Sequence, residues 1–199
     1  MKKARFLCAA ATMLLACTLS ASAVSHTVVK GDTMWKLAVK YEVGTQEIID
    51  ANPQIQDPDL IYPGQKLTIP EVDAGVAAFE REVIRLVNAE RTQRGLQPLH
   101  GNWELSRVAR FKSQDMVDRR YFAHNSPTYG TPFQMIRAFG LSFRTAGENI
   151  AYGQRTPQAV VNAWMNSSGH RANILNASYT QIGVGYVADG HYWTQMFIG

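Results

Sequence analysis

The sequence predicts an α+β fold in two parts, a small strand–helix–helix–strand unit followed by a larger α+β sandwich. Three observations predict it. Residues 25–70 hold two β-type runs that bracket two short helix patterns. From residue 77 onward, apolar residues recur at helical spacing in runs with their own start and stop signals. Near the end, Ile182, Val184 and Tyr186 alternate, Asp189-Gly190 turns the chain, and residues 192–198 return as the second arm of a hairpin.

Residues 1–23 read as a secretory leader. A basic start precedes the apolar run 6–19, and Ala21-Ser22-Ala23 has the small-x-small pattern that a signal peptidase accepts. The apolar run is shorter than the ~20 residues of a membrane-spanning helix, so no transmembrane span is expected in the mature chain. Leu14-Leu15-Ala16-Cys17 also reads as a lipoprotein box with Cys17 acylated. The Ala-Ser-Ala just ahead of the next domain favours cleavage over that anchor. Both cysteines, Cys8 and Cys17, lie in the leader, so the cleaved chain has no thiol and a Cys–His nucleophile is excluded. Lys2, Lys3 and Arg5 also leave with it, and without these three of the 20 basic residues the balance against 16 acids is near neutral. No basic stripe remains to hold a nucleic acid.

In the first unit, 26–29 is a β-type run and Gly31-Asp32 punctuates it. Thr33 caps a helix from 34 to about 41, with Trp35, Leu37, Ala38 and Tyr41 as its apolar face. A second helix starts at Thr45 and stops at Asn52-Pro53, and Tyr62-Pro63-Gly64 turns the chain into a closing strand at 66–69. A brief connector, 71–76, places the next domain close by.

The second unit, 77–199, opens with a helix pattern at Phe79, Val83, Leu86 and Val87 that Gly95 ends. Asn102 caps a helix bearing Leu105, Val108, Ala109 and Met116. Thr131-Pro132-Phe133-Gln134 combines an N-cap, a first-turn proline and a capping-box glutamine, and Gly140 stops that helix. Thr156-Pro157 starts another with Val160, Val161 and Trp164 inward, and Ile150 is placed in a further strand.

Three polar, glycine-punctuated runs stand out: Tyr121-Phe122-Ala123-His124-Asn125-Ser126-Pro127, Gly147-Glu148-Asn149-Ile150-Ala151-Tyr152-Gly153, and Ser167-Ser168-Gly169-His170-Arg171-Ala172-Asn173-Ile174-Leu175. A His or Glu flanked by apolar anchors suggests a loop held against a core. Two imidazoles and a carboxylate in one cleft suit acid–base work or a divalent metal. Equally, His124 can bond a backbone carbonyl, Glu148 can accept amide hydrogens, and His170-Arg171 can cap a helix end. No Gly-x-Ser-x-Gly elbow supports a serine nucleophile.

These runs resemble the signature segments of the CAP superfamily (cysteine-rich secretory, antigen 5 and pathogenesis-related proteins) in a bacterial, disulfide-free form. The likeness extends over 79–199 through Leu96-Gln97-Pro98-Leu99, Lys112-Ser113-Gln114-Asp115-Met116 and Tyr192-Trp193-Thr194-Gln195-Met196-Phe197. It implies a layered α–β–α fold whose cavity is lined by His124, Glu148 and His170, with His124 and His170 holding a divalent cation, zinc or similar. The family's second glutamate is missing, since its neighbourhood reads Trp164-Met165-Asn166-Ser167. A two-carboxylate glycosidase thereby loses its partner. Asp115 and Asp118 replace it only if the fold brings one of them in.

The first unit, through Val29-Lys30-Gly31-Asp32-Thr33, Asn52-Pro53 and Ile61-Tyr62-Pro63-Gly64-Gln65-Lys66-Leu67, resembles a LysM module. That resemblance implies binding of N-acetylglucosamine glycans, peptidoglycan or a chitin-like polymer, in a groove of Gly31, Asp32, Thr33, Asn52, Pro53, Ile61 and Tyr62. Backbone amides freed at Gly and Pro turns suit an N-acetyl group, while Ile61 suits its methyl. Together the two resemblances imply an exported, wall- or spore-envelope-associated binding or assembly protein. Its cavity would take a metal, a lipid-like ligand or a wall fragment. The alternative is a hydrolase using metal-bound water at His124 and His170 with Glu148 as general base.

Overall fold

The computed structural model describes residues 23–199. The expected leader and the lipoprotein box at Cys17 therefore lie outside the described residues, apart from Ala23. Among the described residues, no helix is long and apolar enough to cross a membrane.

The first unit is strand, helix, helix, strand. β1 (Ala23–Thr27) pairs antiparallel with β2 (Lys66–Pro70), with Ala23 opposite Pro70 and Thr27 opposite Lys66. Between them run α1 (Met34–Tyr41), whose Thr33 cap accepts from the Lys36 N–H, and α2 (Thr45–Asp50). Val28, Met34, Leu37, Ala38, Ile48, Leu67 and Ile69 form the core. Trp35 corrects the expected helix face, because it is 67% exposed and Met34 is buried instead. Met34, Leu37, Ala38 and Tyr41 stand at i, i+3, i+4 and i+7, one face of the helix, and position 35 is rotated off it.

The connector is shorter than expected. Asp73 accepts from the N–H groups of Gly75 and Val76, so α3 (Ala74–Thr92) begins one turn earlier than its apolar pattern indicated. The second unit is a four-stranded sheet between two helical layers. Its strand order is β3 (His100–Gly101), β5 (Gln181–Val187), β6 (Tyr192–Ile198) and β4 (Ala146–Tyr152). β3, too short to leave a periodic signal, pairs parallel with β5, and the other pairs are antiparallel.

Alternation along the strands feeds two cores. Ile182, Val184, Tyr186, Trp193 and Phe197 pack with Val83 and Val87 of α3 and with Val160, Val161 and Trp164 of α6 (Pro157–Asn166). On the other face, Met196 and Ile198 pack with Leu105, Val108 and Ala109 of α4 (Trp103–Asp118) and Met135 and Ile136 of α5 (Pro132–Ala138). The caps at Asn102, Thr131 and Thr156 form as the sequence indicates, including the capping box at α5. Gly183 and Gly185 face α4, where an added Cβ would lie 2.3 Å from the Leu105 carbonyl carbon and 2.1 Å from that of Ala109. Their missing side chains let the helix settle on the sheet.

Of the three polar runs, only the first is a loop. The second forms β4, an edge strand, and the third forms α7 (Ser168–Ile174). Both faces of β4 are covered, so its alternation is masked: Gly147 through Ala151 are all buried.

Candidate functional site

The His124 loop is built from α4. Lys112 is fully buried there and its ammonium donates to the carbonyls of Ala123 and His124, both at 2.8 Å, and to Tyr121 Oη at 3.0 Å. Burial pushes its pKa down, while Glu148 and Asp115 push it back up. Asp115, one turn along, accepts from Ser126 Oγ at 2.7 Å and from Thr128 Oγ1 and Tyr121 Oη, both at 2.5 Å. Burial works to raise its carboxyl, but these hydroxyl donors outweigh it and hold the group below its ordinary value. Asp115 is therefore committed to bracing the loop and does not stand in for a catalytic acid. Asp118 accepts from Gln114 on the exposed side of α4.

His124 leaves this braced loop and its Nδ1 lies 2.7 Å from Glu148 Oε1. Glu148, on β4, is buried, and its Oε2 has no hydrogen-bond partner among the described residues. The hydrogen bond to Glu148 raises the His124 pKa, and burial raises that of Glu148, partly offset by His124 and Lys112. Each shift is linked to the other through that hydrogen bond.

His170 comes from α7, which is clipped to β4. Asn149 Nδ2 donates to the His170 carbonyl at 3.1 Å, and Asn173 Nδ2 donates to the Glu148 carbonyl at 3.1 Å and to Asn149 Oδ1 at 2.9 Å. Burial lowers the His170 pKa and the charge of His124 adds to the effect. One imidazole is thus pushed towards the cation and the other towards the neutral form.

His124 and His170 share the wall of one cavity of about 430 Å³, together with Phe122, Tyr152, Gln154 and Trp164. Glu148 corrects the expected lining. It stands behind His124, not in the wall. Trp164 is buried there and its indole N–H donates to the Ile150 carbonyl at 3.3 Å. Among the described residues no group of three His, Cys, Asp or Glu comes close enough to hold a metal. Two histidines, one of them tied to Glu148, fall short of the three protein ligands of a zinc site.

The rim of this cavity carries residues that sequence reasoning missed. Tyr152 stacks on Tyr192 with centroids 5.7 Å apart, and Phe122 meets Tyr152 edge-on at 4.7 Å. Phe122 and Tyr152 stood inside two of the polar runs, flanking His124 and Gly153. An aromatic repeated in such runs was the available signal.

In the first unit, two turns lie side by side because the Gly64 N–H donates to the Val28 carbonyl at 2.9 Å. Gly31 (φ +94°) and Gly64 (φ +92°) occupy the left-handed region that these turns require. Asp32 accepts from the Val29 N–H and from His26 Nε2, and Thr33 caps α1, so both side chains shape the turn. The Asn52 side chain is buried and fully used: it donates to the Ile48 and Thr68 carbonyls and accepts from the Thr68 N–H. Direct sugar contact by that side chain is thereby corrected to a bracket between α2 and β2. Pro53 is exposed, Ile61 is half-buried, and Tyr62 is exposed beside Leu60.

Comparison with known proteins gives two family matches. The model of the cysteine-rich secretory protein family, CAP, matches residues 84–197, and that of the LysM domain matches residues 26–70. The uncharacterised protein YkwD of Bacillus subtilis is 58% identical over 132 residues, 66% of this chain and 51% of that protein. This chain thus spans about half the length of that relative. The SpoIVD-associated factor A of B. subtilis is 49% identical over 45 residues, 23% of this chain and 12% of that protein. A crystal structure of an extracellular protein containing a SCP domain from Bacillus anthracis superposes with a TM-score of 0.60 at 33% identity, covering 68% of this chain and 47% of that one.

Proposed function

For a chain that belongs to the cysteine-rich secretory protein family and carries a LysM domain ahead of the CAP domain, we propose a wall-docking function. The LysM domain (residues 25–70) binds the N-acetylglucosamine glycan of peptidoglycan, and the CAP domain (77–199) is presented at the wall with its His124/His170 cavity open. The chain is exported by a cleaved leader, residues 1–23, and works outside the cell or in the spore envelope as a binding or assembly protein. The names of two relatives of the LysM part, SpoIVD-associated factor A of B. subtilis and the spore coat assembly protein ExsA of Bacillus cereus, support the envelope setting.

One observation supports docking most: the turns at Gly31 and Gly64 are joined by a hydrogen bond and leave Tyr62 exposed beside them. Backbone groups at such turns serve an acetamido group, and an exposed ring serves the sugar face. Co-sedimentation with isolated peptidoglycan tests this. The full chain pellets, a soluble N-acetylglucosamine oligosaccharide releases it, and Tyr62→Ala weakens retention about tenfold. Retention indifferent to the oligosaccharide and to that substitution would overturn the reading.

A further inference from the structure

We propose that the rim of the CAP cavity is a second glycan subsite, in which Tyr152 and Phe122 seat an N-acetylhexosamine ring and Gln154 receives its acetamido N–H. The inference extends the wall-docking reading, and its test keeps the two apart.

Three observations carry it. Tyr152 is 56% exposed and Phe122 45%, large exposures for rings that also pack on one another and on Tyr192. The rings have apolar bodies and, for the tyrosines, polar tips, which is what a pyranose with C–H faces and hydroxyl edges requires. Second, Gln154 lines the same cavity and its Oε1 is buried with no hydrogen-bond partner among the described residues. A buried acceptor left unpaired carries a desolvation cost. A ligand amide N–H, met by a turn of the terminal amide, removes that cost. Third, the shelf is rigid. The Gln154 carbonyl accepts from Trp193 Nε1 at 2.7 Å, and the Gly153 N–H bonds the carbonyls of Gly190 and His191. Little ordering is needed on binding.

The floor suits the same ligand. Neutral His170 offers one donor and one acceptor to a sugar hydroxyl pair, and about 430 Å³ accommodates a sugar unit. The occupant is the acetamido sugar of the polymer that the LysM domain holds, so the second site meets it at high effective concentration.

The test is amide-shift mapping of the full chain titrated with an N-acetylglucosamine tetramer. Two groups of residues shift, one around 31–33 and 61–62, the other around 122 and 152–154. Tyr152→Ala abolishes the second group or weakens it about tenfold, and leaves the first unchanged. Gln154→Ala, at a half-buried position outside the helices and strands with its backbone contact to Trp193 kept, does the same and guards against a misfolded tyrosine variant. Tyr62→Ala affects only the first group, so the failure of LysM docking is read separately. Shifts confined to the LysM residues, or a rim that shifts with a stem peptide lacking sugar and not with the tetramer, would overturn the proposal.

Discussion

His124 and Glu148 set the chemistry of the cavity through the hydrogen bond between them. The histidine gains its partner only in the folded chain, so its folded pKa lies above the unfolded value of about 6.5. Its contribution to stability is complete below that unfolded value and is lost as pH rises through the raised folded one. Glu148→Gln removes the acceptor charge, and the expected outcome is a fall in the His124 pKa, read from its ring resonances in an NMR pH titration. An unchanged His124 titration would show that the pair does not form. The types of these two residues and of His170 were legible in the sequence, because imidazoles and a lone carboxylate sit among apolar anchors. Their order in depth was not legible. Glu148 lies behind His124 because β4 turns position 148 inward beneath a loop that Lys112 and Asp115 brace. Both bracing residues are charged groups on a helix whose exposed face reads much the same.

Elements whose caps and apolar periods agree were legible with their ends: α1, α4, α5 and α6 begin where Thr33, Asn102, Thr131 and Thr156 place them. β4 was legible only at Ile150, since burial on both faces erases its alternation, and α7 was hidden because it is a single short helix of polar residues. The seam between α4 and β5 depends on side chains that are absent, a feature a hydropathy pattern does not register. Gly185→Ala places a methyl against the Ala109 backbone, and the expected cost is about 3 kcal/mol, measured from urea unfolding. Gly169→Ala, with open space around it inside α7, serves as the control and changes stability by less than about 1 kcal/mol. Equal effects at the two positions would contradict the close helix–sheet approach.

Across the whole molecule, the two units touch through Arg107 of α4. Its guanidinium pairs with Glu47 of α2, with Nη2 and Oε2 2.7 Å apart, and lies over the rings of Phe111 and Phe139 at 5.2 and 5.0 Å. A partly exposed ion pair contributes only about 0–1 kcal/mol, so the pairing orients the LysM unit beside the CAP unit more than it stabilises either. The short connector made close neighbours legible, whereas a pairing between residues 60 positions apart leaves no local signal. We propose that this chain docks on the wall without cutting it. The most direct measurement incubates the full chain with isolated peptidoglycan, with and without zinc, beside a His124→Ala/His170→Ala variant. Protein is then quantified in the pellet, and the supernatant is analysed for muropeptides by mass spectrometry. Both proteins in the pellet with no fragments released by either is the expected result, whereas fragments released by the unaltered chain alone would contradict docking without cleavage and make the cavity a hydrolytic site.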